Sequence, residues 1–261
     1  MIATLLGHAV QLSGLDILWV ALAGLAAGGI NSVVGSGTLI TFPLLLALGY
    51  PPVMANVSNT VGLVPGSAMG AVGYRRELVG QGKRVTRLAI GSLIGGAIGA
   101  TLLLQLPASA FKAIVPVLVG LGVVLVIVGP WLNRWLAERR THPHPTGASA
   151  GLFAGVTAVA VYGGYFGAAQ GVLLIAIMGI FLDEELQRIN AAKNVLAGLT
   201  NLVAAVIFII FSHIAWLPAL VIAGSSAVGG GIGGRYGRRI PANLLRGVIV
   251  IVGVITIVRL V

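Results

Sequence analysis

Asn190, Lys193 and Asn194 put two amides and an amine into a stretch that is apolar on its C-terminal side. Their i, i+3, i+4 spacing places all three on one helical face. Such a face can donate hydrogen bonds to a negatively charged guest, and a charge embedded in a membrane usually lines a pathway. The competing reading keeps Lys193 structural: it snorkels to the inner headgroups or pairs with Glu184 or Glu185 in the acidic turn before it. Asn56, Ser58, Asn59 and Thr60 form a second polar run at the start of another apolar segment, with Asn201 deeper in the later one.

Two further stretches can present backbone chemistry. One is Gly28-Gly29-Ile30-Asn31-Ser32-Val33-Val34-Gly35-Ser36-Gly37, and the other is Gly163-Gly164-Tyr165-Phe166-Gly167-Ala168-Ala169-Gln170-Gly171. Both read as poor helix. Freed amides at the start of a half-helix favour an anion, and glycine lets a ligand approach the backbone. Gly37 would offer its amide. Asn31, Ser32, Ser36 and Thr38 can add side-chain donors in the first stretch, and Tyr165 and Gln170 in the second. The alternative is close helix packing through small residues. A Rossmann or phosphate loop is strongly disfavoured, because no strand precedes the glycines and no Gly-Lys-Ser/Thr follows.

Other chemistries find little support. No serine has a positioned histidine and no paired aspartates or zinc motif appears, so an enzyme is not expected. Cysteine is absent, which removes disulfides and thiol chemistry. His142 and His144 share a proline-containing loop without a ligand cluster, so a solvated linker is preferred over a metal site, and no cofactor is expected. The carboxylates Asp16, Glu77, Glu138, Asp183, Glu184 and Glu185 all fall at predicted ends or in loops. A proton relay through the membrane is therefore missing, which favours a facilitated carrier or channel-like exporter over a strict antiporter.

The elements that must hold these residues are membrane spans. Only 8% of the 261 residues are charged, against roughly 25% in soluble domains, and apolar runs of about 17 to 25 residues recur throughout. The net charge of +10 sits mostly in short loops, where a positive-inside bias explains it without nucleic acid. The N-terminus lacks a basic region before its first apolar stretch and does not read as a cleaved signal peptide. Each half reads as one long apolar element and three ordinary spans. The first half, 1–132, has its long element at 15–48 and spans near 53–74, 88–106 and 111–132. A basic cytoplasmic linker occupies 133–147. The second half, 148–261, has its long element at 148–182 and spans near 189–211, 217–234 and 242–261. As one helix, 15–48 would run about 50 Å against about 30 Å of hydrocarbon. It must therefore break, as two short crossings or as a re-entrant hairpin.

The halves resemble each other. At an offset of 134 positions Gly29, Gly37, Asn56, Val61, Gly95, Gly96, Ile98, Gly99 and Pro107 meet identical residues. With 39 glycines in the chain, the asparagine and proline matches carry most of the weight. Of the 16 basic residues, 12 fall in the loops at 75–87, 133–147 and 235–240 or just after the acidic turn, which places those loops inside. The turns at 49–52, 107–110 and 212–216 carry none and are placed outside. Equivalent loops then lie on opposite faces, the pattern of an inverted repeat. Five segments per half satisfy it, with the long element entering and returning on one face and both termini outside. The fold class expected is an all-α polytopic membrane protein of two inverted-topology repeats. Each repeat has a broken or re-entrant first element plus three transmembrane helices.

Gly28-Gly29 through Gly35-Ser36-Gly37, Pro43-Leu44-Leu45, Gly49, Ala55-Asn56 and Tyr74-Arg75-Arg76, with Ile189-Asn190-Ala191-Ala192-Lys193-Asn194 and Thr200-Asn201, resemble the sulfite exporter TauE/SafE family. The likeness covers essentially the whole chain. It departs where Ile177 stands opposite Pro43 and where the second break is poorer in glycine. The resemblance implies a multi-pass permease of the bacterial inner (plasma) membrane, exporting a small anion such as sulfite, sulfoacetate or another organosulfonate. It maps the family's glycine-rich breaks onto 28–37 and 163–171 and its asparagine-bearing helices onto 54–60 and 189–194. The expected substrate-binding set is Asn31, Ser32, Ser36, Gly37, Asn56, Asn59, Tyr165, Gln170, Asn190, Lys193 and Asn194. The expected partners are the small anion and membrane lipids, without nucleic acid, and a homo-oligomer is compatible with this reading. The alternatives are a non-transporting membrane scaffold or assembly subunit, and an anion channel.

Overall fold

The computed structural model describes residues 11–138, 149–237 and 242–260. His8, the linker residues Arg139, Arg140, His142 and His144, and Arg238 and Arg239 lie outside them. The described residues form ten helices and no strand: α1 (Gly14–Val33), α2 (Thr38–Ala47), α3 (Pro52–Gly73), α4 (Gly82–Gln105), α5 (Ala108–Glu138), α6 (Ala150–Tyr165), α7 (Gln170–Phe181), α8 (Leu186–Phe211), α9 (Trp216–Tyr236) and α10 (Ala242–Leu260). Within α1, α4, α5, α8 and α9 lie stretches long and apolar enough to cross a membrane. Large apolar side chains such as Leu18, Trp19, Ile98, Val117, Leu220 and Ile251 face outward on several helices. In a water-soluble fold such patches would be a liability; in lipid they match the solvent.

Each long element breaks as its length requires, but more narrowly than its glycines imply. α1 stays helical through Gly28 and Gly29 to Val33, and α6 through Gly163 and Gly164 to Tyr165. The reason is packing. A Cβ on Gly28 would lie 2.1 Å from the Ser226 carbonyl oxygen of α9, and one on Gly164 would lie 2.2 Å from the Gly96 carbonyl oxygen of α4. These glycines let neighbouring backbones touch, the alternative left open above. The breaks proper are 34–37 and 166–169. Both close alike: the Val34 and Gly35 amides donate to the Ile30 carbonyl, and the Phe166 and Gly167 amides to the Tyr162 carbonyl. Positive φ angles at Gly35 (85°) and Gly167 (76°) turn the chain back.

The turned-back arms are short. α2 and α7 hold 10 and 12 residues, about 15 and 18 Å, roughly half of a hydrocarbon core. α1 runs alongside α9 in the same direction, with Gly24 against Ile222 and Gly28 against Ser226 and Gly230. α3 also runs parallel to α9, with Gly62 against Ile222 and Gly73 against Gly234. α1 thus starts at the end of the bundle where α3 starts, and α2 returns to that end before α3 begins. The first long element is a hairpin that comes back to its own side. Serine N-caps open both hairpins: Ser13 accepts from the Asp16 amide and Ser149 from the Leu152 amide.

The packing partners repeat at the offset seen in the sequence. α1 lies on α9 as α6 lies on α4, α3 on α9 as α8 on α4, and α5 on α7 as α10 on α2, while α3 and α8 meet at the centre. Two loops mark the ends of this bundle. The 74–81 loop follows the C-terminus of α3, whereas the Ala215 amide donates to Ser58 Oγ near the start of α3, at 2.9 Å. About 15 residues of helix, roughly 22 Å, separate Ser58 from the end of α3.

Candidate functional site

An α-helix leaves its last four carbonyls without partners in the helix. α1 and α6 both end inside the protein, so their final carbonyls need donors there. α8 supplies them to α1. Lys193 Nζ donates to the carbonyls of Asn31 (2.8 Å) and Ser32 (3.0 Å), and the side-chain amides of Asn190 (3.2 Å) and Asn194 (3.1 Å) donate to the Ser32 carbonyl. α3 does the same for α6: Asn56 Nδ2 donates to the Tyr165 carbonyl at 3.0 Å. Each asparagine-bearing helix therefore caps the broken helix of the other half. Asn190 and Asn56 correspond at the sequence offset and do equivalent work.

Lys193 neither snorkels nor pairs with the acidic turn. It is 1% exposed and points into the bundle. Glu184 is occupied at the surface instead, accepting from Arg84 Nη2 (2.9 Å) and Arg188 Nε (2.6 Å). Burial pushes the Glu184 carboxyl up, but the hydrogen bonds and charges of Arg188 and Arg84 outweigh it and hold the group below its ordinary 4.5. Gln81 donates to the Arg188 carbonyl at 3.0 Å, which ties the 74–81 loop to the turn before α8.

At the sequence offset the counterpart of Lys193 is Asn59, which is fully buried. Its Oδ1 accepts from the Thr41 hydroxyl and its Nδ2 donates to Thr38 Oγ1 at 3.4 Å. Asn31 Nδ2 donates to Ser67 Oγ at 3.0 Å, and Ser32 Oγ donates to the carbonyls of Gly28 and Gly230. Thr41 and Ser67 were not singled out from the sequence. Thr41 lies one turn beyond Thr38, and Ser67 lies two turns beyond Thr60 on the buried face of α3, so helical spacing carried the signal.

The two breaks touch each other. The Gly171 amide donates to the Gly35 carbonyl at 3.0 Å. A Cβ on Gly35 would lie 2.4 Å from Gly171 Cα, so only glycine permits the crossing. The first amides of α7 are consequently engaged within the protein. In α2, by contrast, Leu39 and Ile40 donate to the Ser36 and Gly37 carbonyls, while among the described residues no acceptor meets the amides of Gly37 and Thr38. Four buried side-chain atoms around the crossing also lack partners: Ser36 Oγ, Gln170 Nε2, Asn56 Oδ1 and Asn190 Oδ1. Such orphans call for an explanation in a ligand, an ion or ordered water. On the side of the second break, Phe42 and Phe166 pack edge to face at 5.1 Å, and Phe111 packs edge to face against Tyr165 at 5.8 Å.

Electrostatics at the crossing follow from a count of ends. Two helix N-termini and two C-termini converge, each worth about half a charge, so their dipoles roughly cancel. The Lys193 amine is left over, and the predicted membrane interior holds no carboxylate to balance it. An ammonium has three donors, of which two serve α1. Of the expected set, Asn31, Ser32, Asn190, Lys193 and Asn194 gather at the end of α1. Asn56 and Tyr165 gather at the end of α6, Ser36, Gly37 and Gln170 sit in or beside the breaks, and Asn59 joins them to α2.

Two returning helical hairpins whose buried polar groups meet between long apolar helices describe a multi-pass membrane protein with a polar centre. The chain matches the family described as Sulfite exporter TauE/SafE over residues 20–260, and it belongs to that family. It is 27% identical over 239 residues to the probable membrane transporter protein YfcA of Escherichia coli (strain K12), covering 90% of this chain and 85% of the relative. It is 25% identical to a probable membrane transporter protein of Haemophilus influenzae, covering 91% and 92% of the two chains. A probable membrane transporter protein of Sinorhizobium, ORF9, is 26% identical, with coverage of 91% and 89%. No solved structure matches significantly.

Proposed function

We propose that this chain is a permease for a small anion, a sulfur oxyanion or organosulfonate such as sulfite or sulfoacetate, exported across a bacterial inner membrane. The observation that carries the reading is the crossing of the two breaks. Lys193 at the end of α1, the amides of Gly37 and Thr38 at the start of α2, and Ser36 Oγ and Gln170 Nε2 in or beside the breaks are the donors this reading assigns to the anion. A tetrahedral or pyramidal oxyanion presents acceptors in several directions and suits such a set. The family name, which specifies sulfite, adds support for sulfur chemistry.

The packing pairs that repeat at the sequence offset, together with the charge pattern of the loops, support two halves inserted in opposite directions. Alternating access would then rock the paired hairpins against the remaining helices. The absence of native cysteine makes this arrangement easy to test. Single cysteines placed at Gly80 and Ile214 are expected to react with a membrane-impermeant thiol reagent from opposite faces of sealed vesicles; reaction of both from one face would refute the inverted arrangement.

Ligand-dependent stabilisation tests the substrate class. Heating purified protein with sulfite, sulfate, thiosulfate and short sulfonates is expected to raise the apparent melting temperature with one or two of them. At a hundredfold excess over Kd the gain is about 2.7 kcal/mol by mass action. Equal, negligible shifts for all of them would count for a scaffold and against a permease.

A further inference from the structure

At the end of the bundle that carries the basic loops, the last turns of α3 and α9 line an open groove of ≈ 760 Å³. Gly73, which lines it, packs on Gly234 of α9, where a Cβ on Gly73 would lie 2.7 Å from Gly234 Cα. Its walls include Val72, Val228 and Ile232, whose side chains are exposed and belong to the outward-facing apolar surface. Its rim carries Arg75, Arg76 and Arg235. We infer that this groove is a binding site for an anionic phospholipid, with the arginines on its phosphate and an acyl chain against the apolar walls.

The charge balance favours an anionic headgroup. Two helix C-termini bring about −1 in total to this end, and three arginines leave about +2. None of the three makes an ion pair among the described residues. Glu77, the carboxylate of the adjoining loop, does not line the groove. The opposite end of the bundle supplies a comparison. There α4 and α8 pack through Gly96 on the Thr200 carbonyl, as α9 and α3 pack through Gly230 on the Gly66 carbonyl. Yet Leu106-Pro107 and Ser212–Ala215, which follow α4 and α8, contain no Lys or Arg. The helix packing therefore does not itself require arginines. A positive-inside bias accounts for basic residues on this face, but not for three of them converging on one groove open to lipid. Basic pockets between helices on the cytoplasmic side are suited to phosphate headgroups.

The test titrates purified protein in non-ionic detergent with phosphatidylglycerol, with phosphatidylcholine of the same chains, and with inorganic phosphate and glycerol phosphate, reading bound lipid by native mass spectrometry and stability by melting. Phosphatidylglycerol is expected to bind and stabilise, and the other three to do so weakly. The triple variant Arg75→Gln, Arg76→Gln, Arg235→Gln should bind it on the order of 100-fold more weakly, about fivefold per arginine, with unchanged melting before lipid is added. Lys83→Gln with Arg87→Gln, in the first turns of α4 and off the groove, should bind as the parent does. Ile232→Trp, which fills the groove with its charges intact, should also lose binding. Retained binding in the triple variant or in Ile232→Trp would overturn the site. Equal loss in the Lys83/Arg87 control would reduce it to general charge attraction. Equal stabilisation by free phosphate would reassign it to a soluble anion.

Discussion

Replacing Lys193 by methionine is expected to reduce anion transport by about 100-fold or more while the protein still reaches the membrane. The side chain is fully buried, and its amine holds the Asn31 and Ser32 carbonyls at the end of α1. Two effects follow from its removal. The Asn31 carbonyl loses its donor, at about 1–3 kcal/mol for a buried group left unpaired; Ser32 keeps Asn190 and Asn194. The larger effect is electrostatic. A unit charge 4 Å from an anion contributes about 4 kcal/mol at an effective dielectric of 20, close to a thousandfold in affinity. The structural loss lowers the melting temperature of the empty protein, whereas the electrostatic loss appears only as weaker substrate saturation. Saturation kinetics and melting measured on the same preparation separate the two. Transport within twofold of the parent would remove Lys193 from the site.

Gly171→Ala is expected to abolish transport and destabilise the protein, because its Cβ would enter the one place where the two breaks meet. That atom would lie 2.4 Å from Gly35 Cα and 2.9 Å from Lys193 Cδ. The first is backbone and cannot swing away. The crossing must open, straining or losing the Gly171 amide bond to the Gly35 carbonyl. Overpacking costs about 1–3 kcal/mol, and a lost hydrogen bond adds about 1 kcal/mol. Gly224→Ala is the control, since nothing stands within 4 Å of a Cβ there. If Gly171→Ala melted and transported as Gly224→Ala does, the crossed breaks would not be the functional centre.

Much of the fold was legible because membrane physics is restrictive. A 34-residue apolar stretch is too long for one crossing, and the charged loops alternate as hairpins plus spans require. The offset of 134 positions predicted the pairing of Asn56 with Asn190, and both do the same capping work. Other features could not be read in advance. Gly28 and Gly29 look like helix breakers in isolation, but their contacts are with α9, about 200 residues away. The partner of Lys193 was equally hidden. Sequence places an amine two turns inside a membrane, and neither snorkelling nor a nearby glutamate turned out to hold it. It serves carbonyls that become orphans only because α1 stops where it does. The expectation that both returning half-helices offer free amides fits α2 alone, since Gly35 claims the Gly171 amide of α7. Backbone hydrogen bonds between segments about 136 residues apart leave no trace in composition or periodicity.

The most direct test is flux. Purified protein reconstituted in sealed liposomes and loaded with sulfite or sulfoacetate is predicted to release the anion down its gradient, with a rate that saturates and is lost in the Lys193→Met variant. Saturation separates a carrier from a channel. Folded protein that moves none of these anions, or that moves them equally well without Lys193, would contradict a permease built around the crossed breaks.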